Sequence, residues 1–380
     1  MKPLLAHAEM ALANTMDRLA AAARREGELN VIGLPRDWSG YGALIDAFKT
    51  KYGLIVNELN PNAGSAGELA AIKRGGPAFP APDVIDVGFS FGRAAKKDGL
   101  LQPYKVSTWD SIPDTVKDPE GFWYGDYYGV LAFEANTDRA RNVPLDWQDL
   151  LASEYKSSVA LAGNPLVSDQ AIQAVYAAGL SAGASRDQAA SEGLRFFAEL
   201  HRKGNLVPMV GDSDSLVRGV TPILIRWDFL ALGDRDRFAG GPKIEIVVPK
   251  TGIVGGVYVQ AISASAPHPN AAKLWMEHLY SDEGQLTMLS GYCHPIRFDD
   301  LARSGKVPAR MLERLPEIRN GEAASEPVFP TAEEQENARE TITNGWADIV
   351  GVTFPCPPPP PPTRPPTSLN APPLEAPVLS

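Results

Sequence analysis

Short β-rich runs alternate with amphipathic segments from Glu28 onward, and this alternation constrains the fold more than any other feature of the sequence. It is typical of an α/β fold with a largely parallel sheet, because each strand must return across the sheet through a helix. Apolar runs predict strands at 29–34, 54–59, 84–87, 130–135, 159–162, 221–226, 244–248 and 254–263. Helical periodicity predicts helices at 42–51, 66–74, 170–179, 186–203, 269–280 and 332–350.

The composition indicates a globular protein with more than one lobe, since 380 residues with 44% hydrophobic content can bury a large core. A net charge of −10 disfavours nucleic acid and anionic membranes as partners. The longest apolar runs, at 220–225 and 254–262, have the length of strands rather than membrane spans.

The two ends of the chain differ from the middle. Residues 1–27 form a segment that we expect to be helical or partly ordered, and it lacks the apolar core of a secretory signal. Either the protein is cytoplasmic, or this start is a processed, truncated or misassigned one. Residues 353–380 contain six consecutive prolines and predict a disordered or polyproline tail. Cys293 and Cys356 lack C-x-x-C spacing, which disfavours redox chemistry and a thiolate zinc site.

Two segments have the character of crossovers between lobes. Residues 130–136 follow an aromatic turn, and residues 255–260 are an extended run opened by two glycines. If both are hinge strands, residues 28–133 and 255–352 form one lobe and residues 134–254 form the other. A ligand would then bind between the lobes.

The stretch Gly88-Phe89-Ser90-Phe91-Gly92 fits G-x-S-x-G, the nucleophile elbow of serine hydrolases. An α/β hydrolase using Ser90 is therefore the alternative function. It needs a later acid and histidine, for which the candidates are Asp212, Asp228, His268 and His294. No His-Gly-Gly-Gly oxyanion element precedes Ser90, so we expect a hydrogen-bonding hydroxyl, no catalytic residues and no enzyme.

Metal and nucleotide motifs are missing from the sequence, which contains neither H-E-x-x-H, an EF-hand loop, Walker A nor G-x-G-x-x-G after a strand. Tyr127 and Tyr128 could form a tyrosine pair of the kind that binds ferric iron. No carboxylate and histidine nearby complete such a site, so we interpret both as aromatic wall or core residues. We expect no metal and no cofactor.

Polar and aromatic residues follow several predicted strands and form the first part of a predicted ligand site. Trp38 and Ser39 follow the first strand, Ser90 and Phe91 the third, and Ser168 a strand of the second lobe. In open α/β sheets, ligands bind at the carboxyl ends of strands, where helix N-termini present free N–H groups.

An apolar strand ends in Arg226-Trp227-Asp228. Arginine can hold a carboxylate or phosphonate, aspartate an ammonium, and tryptophan a cation or a methylene chain. This set predicts a site for a small zwitterion. Arg226 and Asp228 could equally be solvated or paired to each other, because strand alternation places them on one face.

The chain from about Glu28 to Val352 resembles the extracellular solute-binding proteins of ABC importers. It is most similar to the type II group that binds polyamines, ferric iron, phosphonates and 4-aminobutyrate. The resemblance rests on the order and spacing of four passages: residues 82–89, residues 98–104, residues 147–151 before 155–161, and residues 281–285 before Gly291 and Tyr292.

The resemblance implies a two-lobed type II fold, with mixed, mainly parallel sheets flanked by helices and joined by two hinge strands. It implies a periplasmic monomer that captures a small organic solute, amine-containing or zwitterionic, and delivers it to an ABC permease, without nucleic acid. The implied ligand-binding residues are Trp38, Ser39, Ser90, Phe91, Tyr127, Tyr128, Ser168, Arg226, Trp227, Asp228, Gly255 and Tyr258. The segment 226–228 lacks the tyrosines of iron binders, which disfavours iron.

Overall fold

The computed structural model describes residues 2–76, 79–312 and 327–354. The predicted tail lies outside these residues from Pro355 onward. The strands are β1 (Glu28–Val31), β2 (Ile55–Glu58), β3 (Val84–Gly88), β4 (Leu101–Gln102), β5 (Tyr124–Asn136), β6 (Val159–Leu161), β7 (Leu206–Val210), β8 (Ile223–Trp227), β9 (Ile244–Val247), β10 (Gly255–Ser263) and β11 (His294–Pro295).

Helices alternate with these strands through most of the chain. They are α1 (Lys2–Glu26), α2 (Tyr41–Tyr52), α3 (Ser65–Arg74), α4 (Phe89–Lys97), α5 (Asp169–Ser181), α6 (Ala189–Arg202), α7 (Ser213–Val217), α8 (Asp228–Arg237), α9 (Pro269–Leu279), α10 (Asp282–Ser290), α11 (Phe298–Arg303), α12 (Ala309–Leu312) and α13 (Ala332–Gly345). A π-helical turn, Trp346–Val350, continues α13.

The main path of the sheet runs β2-β1-β3-β10-β5-β8-β6-β7. Strands β1, β2 and β3 are mutually parallel, as are β6, β7 and β8, whereas β5 and β10 are antiparallel to their neighbours. Right-handed returns through helices account for the parallel sets. The fold is therefore a mixed α/β fold, as the alternation of the sequence predicts.

Strand β5 belongs to two halves of the sheet. Residues 124–130 pair with β10, and residues 131–136 pair with β8 and β9. The first half therefore contains β1, β2, β3 and β10, and the second contains β6, β7, β8 and β9. The 13-residue length of β5 joins the halves through continuous backbone. Its prediction as the shorter segment 130–135 missed the aromatic residues at its start.

Side chains of α3 accept hydrogen bonds from backbone amides of β3 beyond the short stretch where β3 pairs with β1. The only β1–β3 register pair is Val31 with Val84. Further along β3, the Asp86 amide donates to Glu68 Oε2 at 2.9 Å and the Gly88 amide donates to Ser65 Oγ at 3.1 Å. Buried amides need such acceptors, so these two side chains take the place of a neighbouring strand.

The first and last helices pack on different parts of the fold. Glu26, at the end of α1, accepts hydrogen bonds from the amides of Asn270 and Ala271 at 3.0 and 2.8 Å. A carboxylate is favourable there because the N-terminus of α9 carries partial positive charge. Helix α13 begins with a capping box between Thr331 and Glu334 and contacts α4 as well as α5 and α6. It therefore touches both halves of the molecule.

Candidate ligand-binding site

Five aromatic side chains meet where the two halves of the sheet join, and they are called the aromatic cluster below. Trp38 lies between β1 and α2, and its ring centroid is 5.6 Å from that of Phe229 and 6.0 Å from that of Tyr258. Tyr127 stacks on Tyr258 at 5.2 Å with an interplanar angle of 7°. Trp227 meets Tyr258 edge-on at 6.4 Å. The cluster thus joins side chains from both halves of the sheet.

Two glycines inside strands make room for the cluster. A Cβ atom added to Gly129 on β5 would lie 2.6 Å from the Phe229 ring, and one added to Gly256 on β10 would lie 2.3 Å from the Trp227 ring. Glycine within a strand often marks the close approach of another group. Here it lets two large rings rest directly on the backbone of the central strands.

Polar atoms of the cluster bond to one another. Trp38 Nε1 donates to the Tyr127 hydroxyl at 2.8 Å, and Trp227 Nε1 donates to the Tyr258 hydroxyl at 3.2 Å. Burial and the nearby charge of Asp169 raise the pKa of Tyr258 well above its usual range. The hydroxyls therefore stay protonated and the aromatic surfaces are held in fixed orientations.

Asp169 lies at the first position of α5, against the C-terminal end of β3. A Cβ atom added to Gly88 would lie 2.4 Å from its carboxyl carbon, so the two halves of the molecule touch at this point. Asp169 is 4% exposed, and its Oδ2 has no partner among the described residues. Burial raises its pKa to about 7, although Gln173 and Arg339 offset part of this effect. A buried carboxylate without a full set of partners is costly unless a ligand supplies them.

Further contacts close the junction around this site. Arg237 on α8 pairs with Asp37 at 3.1 Å, and the Arg339 guanidinium lies 5.0 Å above the Phe91 ring. Each contact joins the region of β1, β3 and α4 to a helix of the second half or to α13. The structure therefore represents a closed arrangement of the two halves.

Ser90 lies in the first turn of α4, directly after β3, so the strand-to-helix context of the elbow motif is present. The candidate histidines have other partners: His268 Nδ1 contacts Asp83 at 2.9 Å, and His294 Nε2 contacts Asp228 at 3.0 Å. Asp212 caps α7. Among the described residues no histidine is hydrogen-bonded to Ser90, so a catalytic triad is not assembled in this arrangement.

Arg226 is enclosed by carboxylates of the second half. Its Nη1 lies 3.1 Å from Glu134 and 2.8 Å from Asp234, and its side chain is 10% exposed. Burial raises the pKa of Glu134 to about 7, partly offset by the Arg226 charge. The predicted anion clamp therefore already has two anionic partners within the protein.

Asp228 is bound by protein donors on both oxygens. Oδ1 accepts from the amides of Val130 and Phe229 at 3.0 and 2.8 Å, and Oδ2 contacts His294 Nε2. These bonds tie the start of α8 to β5 and β11. The predicted possibility of a direct Arg226–Asp228 pair is not realised.

The other predicted site residues are distributed around the cluster. Tyr128 stacks on His294 at 4.6 Å, facing away from its neighbour Tyr127. Ser39 is buried in a left-handed conformation with φ of 53°. Ser168 immediately precedes α5, and the Gly255 amide donates to the Val328 carbonyl at 3.0 Å. The structure thus brings Trp38, Tyr127, Trp227 and Tyr258 into one cluster. Tyr128, Ser39, Ser168 and Gly255 lie outside this cluster.

Two residues of the site were missed in the sequence. Phe229 follows the predicted segment 226–228 directly, and the glycines of the central strands were the available signal for it. Asp169 follows the predicted Ser168, and its position as the first residue of a helix after a strand was the signal. Each lies directly next to a residue that the sequence predicts for the site.

A family model described as bacterial extracellular solute-binding protein matches residues 79–308, more than half of the chain. The chain therefore belongs to the family of bacterial extracellular solute-binding proteins, which confirms the resemblance inferred from the sequence.

Solved structures share the fold at low sequence identity. The periplasmic binding protein AfuA from Actinobacillus pleuropneumoniae, solved with fructose 6-phosphate, is 20% identical, with a TM-score of 0.67 over 86% of this chain and 99% of that chain. A ferric binding protein from Campylobacter jejuni is 18% identical, with a TM-score of 0.61 over 86% and 100%. The spermidine/putrescine ABC transporter substrate-binding protein PotD from Streptococcus pneumoniae is 17% identical, with a TM-score of 0.55 over 75% and 87%.

These similarities confirm the predicted two-lobed fold of periplasmic binding proteins. Their described ligands differ in charge and chemistry, so the fold alone does not identify a solute. No described helix has the length and apolar character needed to cross a membrane. Within the described residues, no group of three or more His, Cys, Asp or Glu side chains could hold a metal ion.

Proposed function

We propose that this chain is the substrate-binding component of an ABC importer and binds a small organic di- or polyamine between its two lobes. The observation that carries this proposal is Asp169, a buried carboxylate whose Oδ2 has no hydrogen-bond partner among the described residues. An ammonium group of the solute would supply the missing donor and the opposite charge. This bond forms only when the lobes close, since Asp169 faces Gly88 across the junction.

The charges around the junction favour a cation over an anion or a zwitterion. Arg226 is the basic side chain predicted to hold an acidic group, but its Nη1 already pairs with Glu134 and Asp234, and its buried Nε has no hydrogen-bond partner among the described residues. A carboxylate or phosphonate at Arg226 would share the guanidinium with two buried carboxylates, which repel it. The prediction of an acid clamp at Arg226 is therefore replaced here by a proposal in which Arg226 supports the second lobe.

The aromatic cluster suits the remainder of such a solute. Tryptophan and tyrosine faces attract ammonium groups and also cover methylene chains. We assign the wall of the site to the cluster and to Phe91 and Tyr128. Ser39, Ser90 and Ser168 supply hydroxyls, Asp228 borders the site with both oxygens held by protein donors, and Gly255 lies in the adjoining strand.

The lobe boundaries remain as predicted from the sequence. One lobe would comprise residues 28–133 and 255–352 and the other residues 134–254, with β5 and β10 as hinge strands. The change of partners within β5 near Leu131 supports this division. Helix α13 contacts both sides, so it would have to move against one of them on opening. A solute that contacts both lobes biases the closed shape, which an ABC permease would recognise.

The family supports an extracellular location, and we propose the periplasm as the compartment and a monomer as the working form. The proposal includes no cofactor, no metal and no nucleic-acid partner.

A thermal-shift screen of the full chain tests the proposed solute class. The probes are putrescine, spermidine, 4-aminobutyrate, 2-aminoethylphosphonate and fructose 6-phosphate. A solute at a hundred times its Kd stabilises a protein by about 2.7 kcal/mol, which is readily seen as a rise in Tm. We expect the rise with putrescine or spermidine. A rise with only the phosphonate or the sugar phosphate would overturn the proposed class while leaving the transport function intact.

We also propose that Ser90 is not a catalytic nucleophile. A serine-reactive fluorophosphonate should leave wild-type protein unlabelled, as it should leave Ser90→Ala. Labelling of the wild type that is lost in Ser90→Ala would instead support the hydrolase.

A further inference from the structure

Two buried carboxyl groups, Asp86 on β3 and Asp126 on β5, share one hydroxyl below the aromatic cluster. The Tyr41 hydroxyl lies 2.8 Å from Asp86 Oδ2 and 3.1 Å from Asp126 Oδ2. Asp86 is 4% exposed, Asp126 is fully buried, and Asp86 Oδ1 has no partner among the described residues. None of these groups has a role in the proposed solute contacts.

Counting donors shows that the shared hydroxyl cannot serve two carboxylates. A tyrosine hydroxyl has one proton to donate and two lone pairs to accept with. Gln260 Nε2 donates to the Tyr41 oxygen at 3.1 Å, which leaves one donation and one acceptance. Both short contacts to carboxyl oxygens are therefore satisfied only if one carboxyl carries a proton and donates it to Tyr41.

Both carboxyls have further donors. Asp86 Oδ2 accepts from the Tyr127 hydroxyl at 3.1 Å as well as from Tyr41, and Asp126 Oδ1 accepts from the Tyr127 amide at 3.0 Å. The shared proton therefore belongs to the pair rather than to one carboxyl, and the protonated member donates it to Tyr41.

The surroundings add negative rather than positive charge. Within the part of the chain that the structure describes, neither carboxyl forms an ion pair. The titratable groups that face the pair from the packed elements are Tyr41 on α2, Glu68 on α3, Tyr127 on β5, Tyr258 on β10, Tyr280 after α9 and Cys293 before β11. Burial raises the pKa of Asp126 to about 7, and burial together with the Asp126 charge raises the pKa of Asp86 well above its usual range. Two neighbouring buried carboxyls cannot both ionise cheaply.

A continuous chain of hydrogen bonds leads from this pair to the binding cleft. The Tyr41 hydroxyl lies within hydrogen-bond distance of both Asp126 and Asp86, and Asp86 also accepts from the Tyr127 hydroxyl. The Tyr127 hydroxyl in turn accepts from Trp38 Nε1 at 2.8 Å. The Trp38 indole is thereby tied to the protonation state of two residues that it does not touch.

We propose that Asp86 and Asp126 hold one proton between them and that this proton fixes the position of the Trp38 indole in the aromatic cluster. Loss of the proton to solvent leaves two carboxylates competing for one Tyr41 proton, and the chain to Trp38 rearranges. The pair is thus a positioning element for the binding site. It does not depend on the identity of the solute, so failure of amine binding would leave this inference standing.

The test follows the indole N–H resonance of Trp38 in solute-free, 15N-labelled protein between pH 5 and pH 9. The chain has seven tryptophans, and Trp38→Phe identifies the signal by its disappearance. We expect the wild-type signal to move with a single midpoint. A purely structural pair would give a signal that does not change with pH, and an invariant wild-type signal overturns the proposal without any further variant.

Variants locate the titrating group. Asp126→Asn and Asp86→Asn each remove one carboxyl of the pair and its repulsion of the other, so each should move the Trp38 midpoint to lower pH. Asp187→Asn is the control, an exposed aspartate outside the aromatic cluster, and should retain the wild-type midpoint. A midpoint that is unchanged in Asp126→Asn and Asp86→Asn, or shifted in Asp187→Asn, would contradict the assignment.

Discussion

Two sets of buried acids near the aromatic cluster differ in their partners. In the second half, Glu134 and Asp234 share the Arg226 guanidinium. Asp86 and Asp126 of the first half, and Asp169 of the second half at the junction, have no ion pair among the described residues; an oxygen without a hydrogen-bond partner occurs in both sets, at Glu134, Asp86 and Asp169. The acids paired with Arg226 stabilise the fold, whereas the acids without an ion pair can hold a proton or bind a solute.

The comparison also bears on the most conspicuous sequence element, the segment 226–228. Arg226, Trp227 and Asp228 combine three recognition groups within three residues, yet protein partners engage the two charged ones. Asp169 is marked in the sequence only by its position at the start of a helix, beside the predicted Ser168. A binding residue is recognised by what its partners leave unsatisfied, which only the tertiary structure reveals.

The largest expected effect on stability comes from removing Arg226, the basic partner of Glu134 and Asp234. Arg226→Met leaves Glu134 and Asp234 buried without a cation and should destabilise the protein by about 3–5 kcal/mol. Denaturant unfolding measures this loss. The control is Arg237→Met, whose ion pair with Asp37 is exposed and should cost less than about 1 kcal/mol. Similar small losses in both variants would show that Arg226 is not a structural charge.

Buried acids with raised pKa values should make the protein less stable as pH rises. The pKa values of Asp126, Asp169 and Glu134 are raised to about 7 in the folded state, so the folded protein binds more protons than the unfolded chain between about pH 4 and pH 7. Burial lowers the pKa of His278 to about 4, which offsets the contribution of one of these acids. Stability is then full below about pH 4 and falls as pH rises towards 7, by up to about 1.4 kcal/mol per pH unit for each group.

Unfolding by denaturant at pH 5, 6, 7 and 8 checks this dependence. Asp169→Asn should reduce the slope of the unfolding free energy against pH by the equivalent of up to one bound proton. Asp187→Asn, a change at an exposed position, should leave this slope unaltered. Exposed acids with lowered pKa values, such as Asp46 and Asp98, affect the pH dependence of stability only below the pH range of these measurements. Stability that increases from pH 5 to pH 7 would contradict the raised pKa values.

A smaller effect is expected at the contact between the lobes. Gly88→Ala places a methyl group against the Asp169 carboxyl and should weaken solute binding by about tenfold, or 1.4 kcal/mol, because closure is obstructed. Gly67→Ala is the matched control, since its nearest neighbour would be 3.9 Å away. Calorimetric titration with spermidine compares the two. Equal affinities would show that closure does not bring Gly88 against Asp169.

Much of the fold could be predicted from the sequence because hydrophobic periodicity reports local structure directly. The predicted strand at 84–87 and helix at 269–280 nearly match β3 and α9. Strand β8 at 223–227 was likewise found from its apolar run. The partner change within β5 and the packing of α13 on both halves arise from long-range contacts that periodicity does not contain.

The candidate site could be predicted only in part. Trp38, Tyr127, Trp227 and Tyr258 were expected near the cleft, and the structure places them in one cluster. The engagement of Arg226 by Glu134, a residue 92 positions away, could not be foreseen from local sequence. The link from Asp126 through Tyr41 to Trp38 likewise joins separate elements.

The most direct test of the proposed function is a calorimetric titration of spermidine into wild-type protein and Asp169→Asn at pH 7. Loss of a charge-assisted hydrogen bond costs on the order of 2 kcal/mol, so we expect the wild type to bind at least about thirtyfold more tightly. The wild type should also release protons on binding, because an ammonium favours the ionised Asp169. Equal affinity in the two proteins, or no spermidine binding by a wild type that binds 2-aminoethylphosphonate or fructose 6-phosphate, would contradict the assignment of Asp169 as the cation-binding residue.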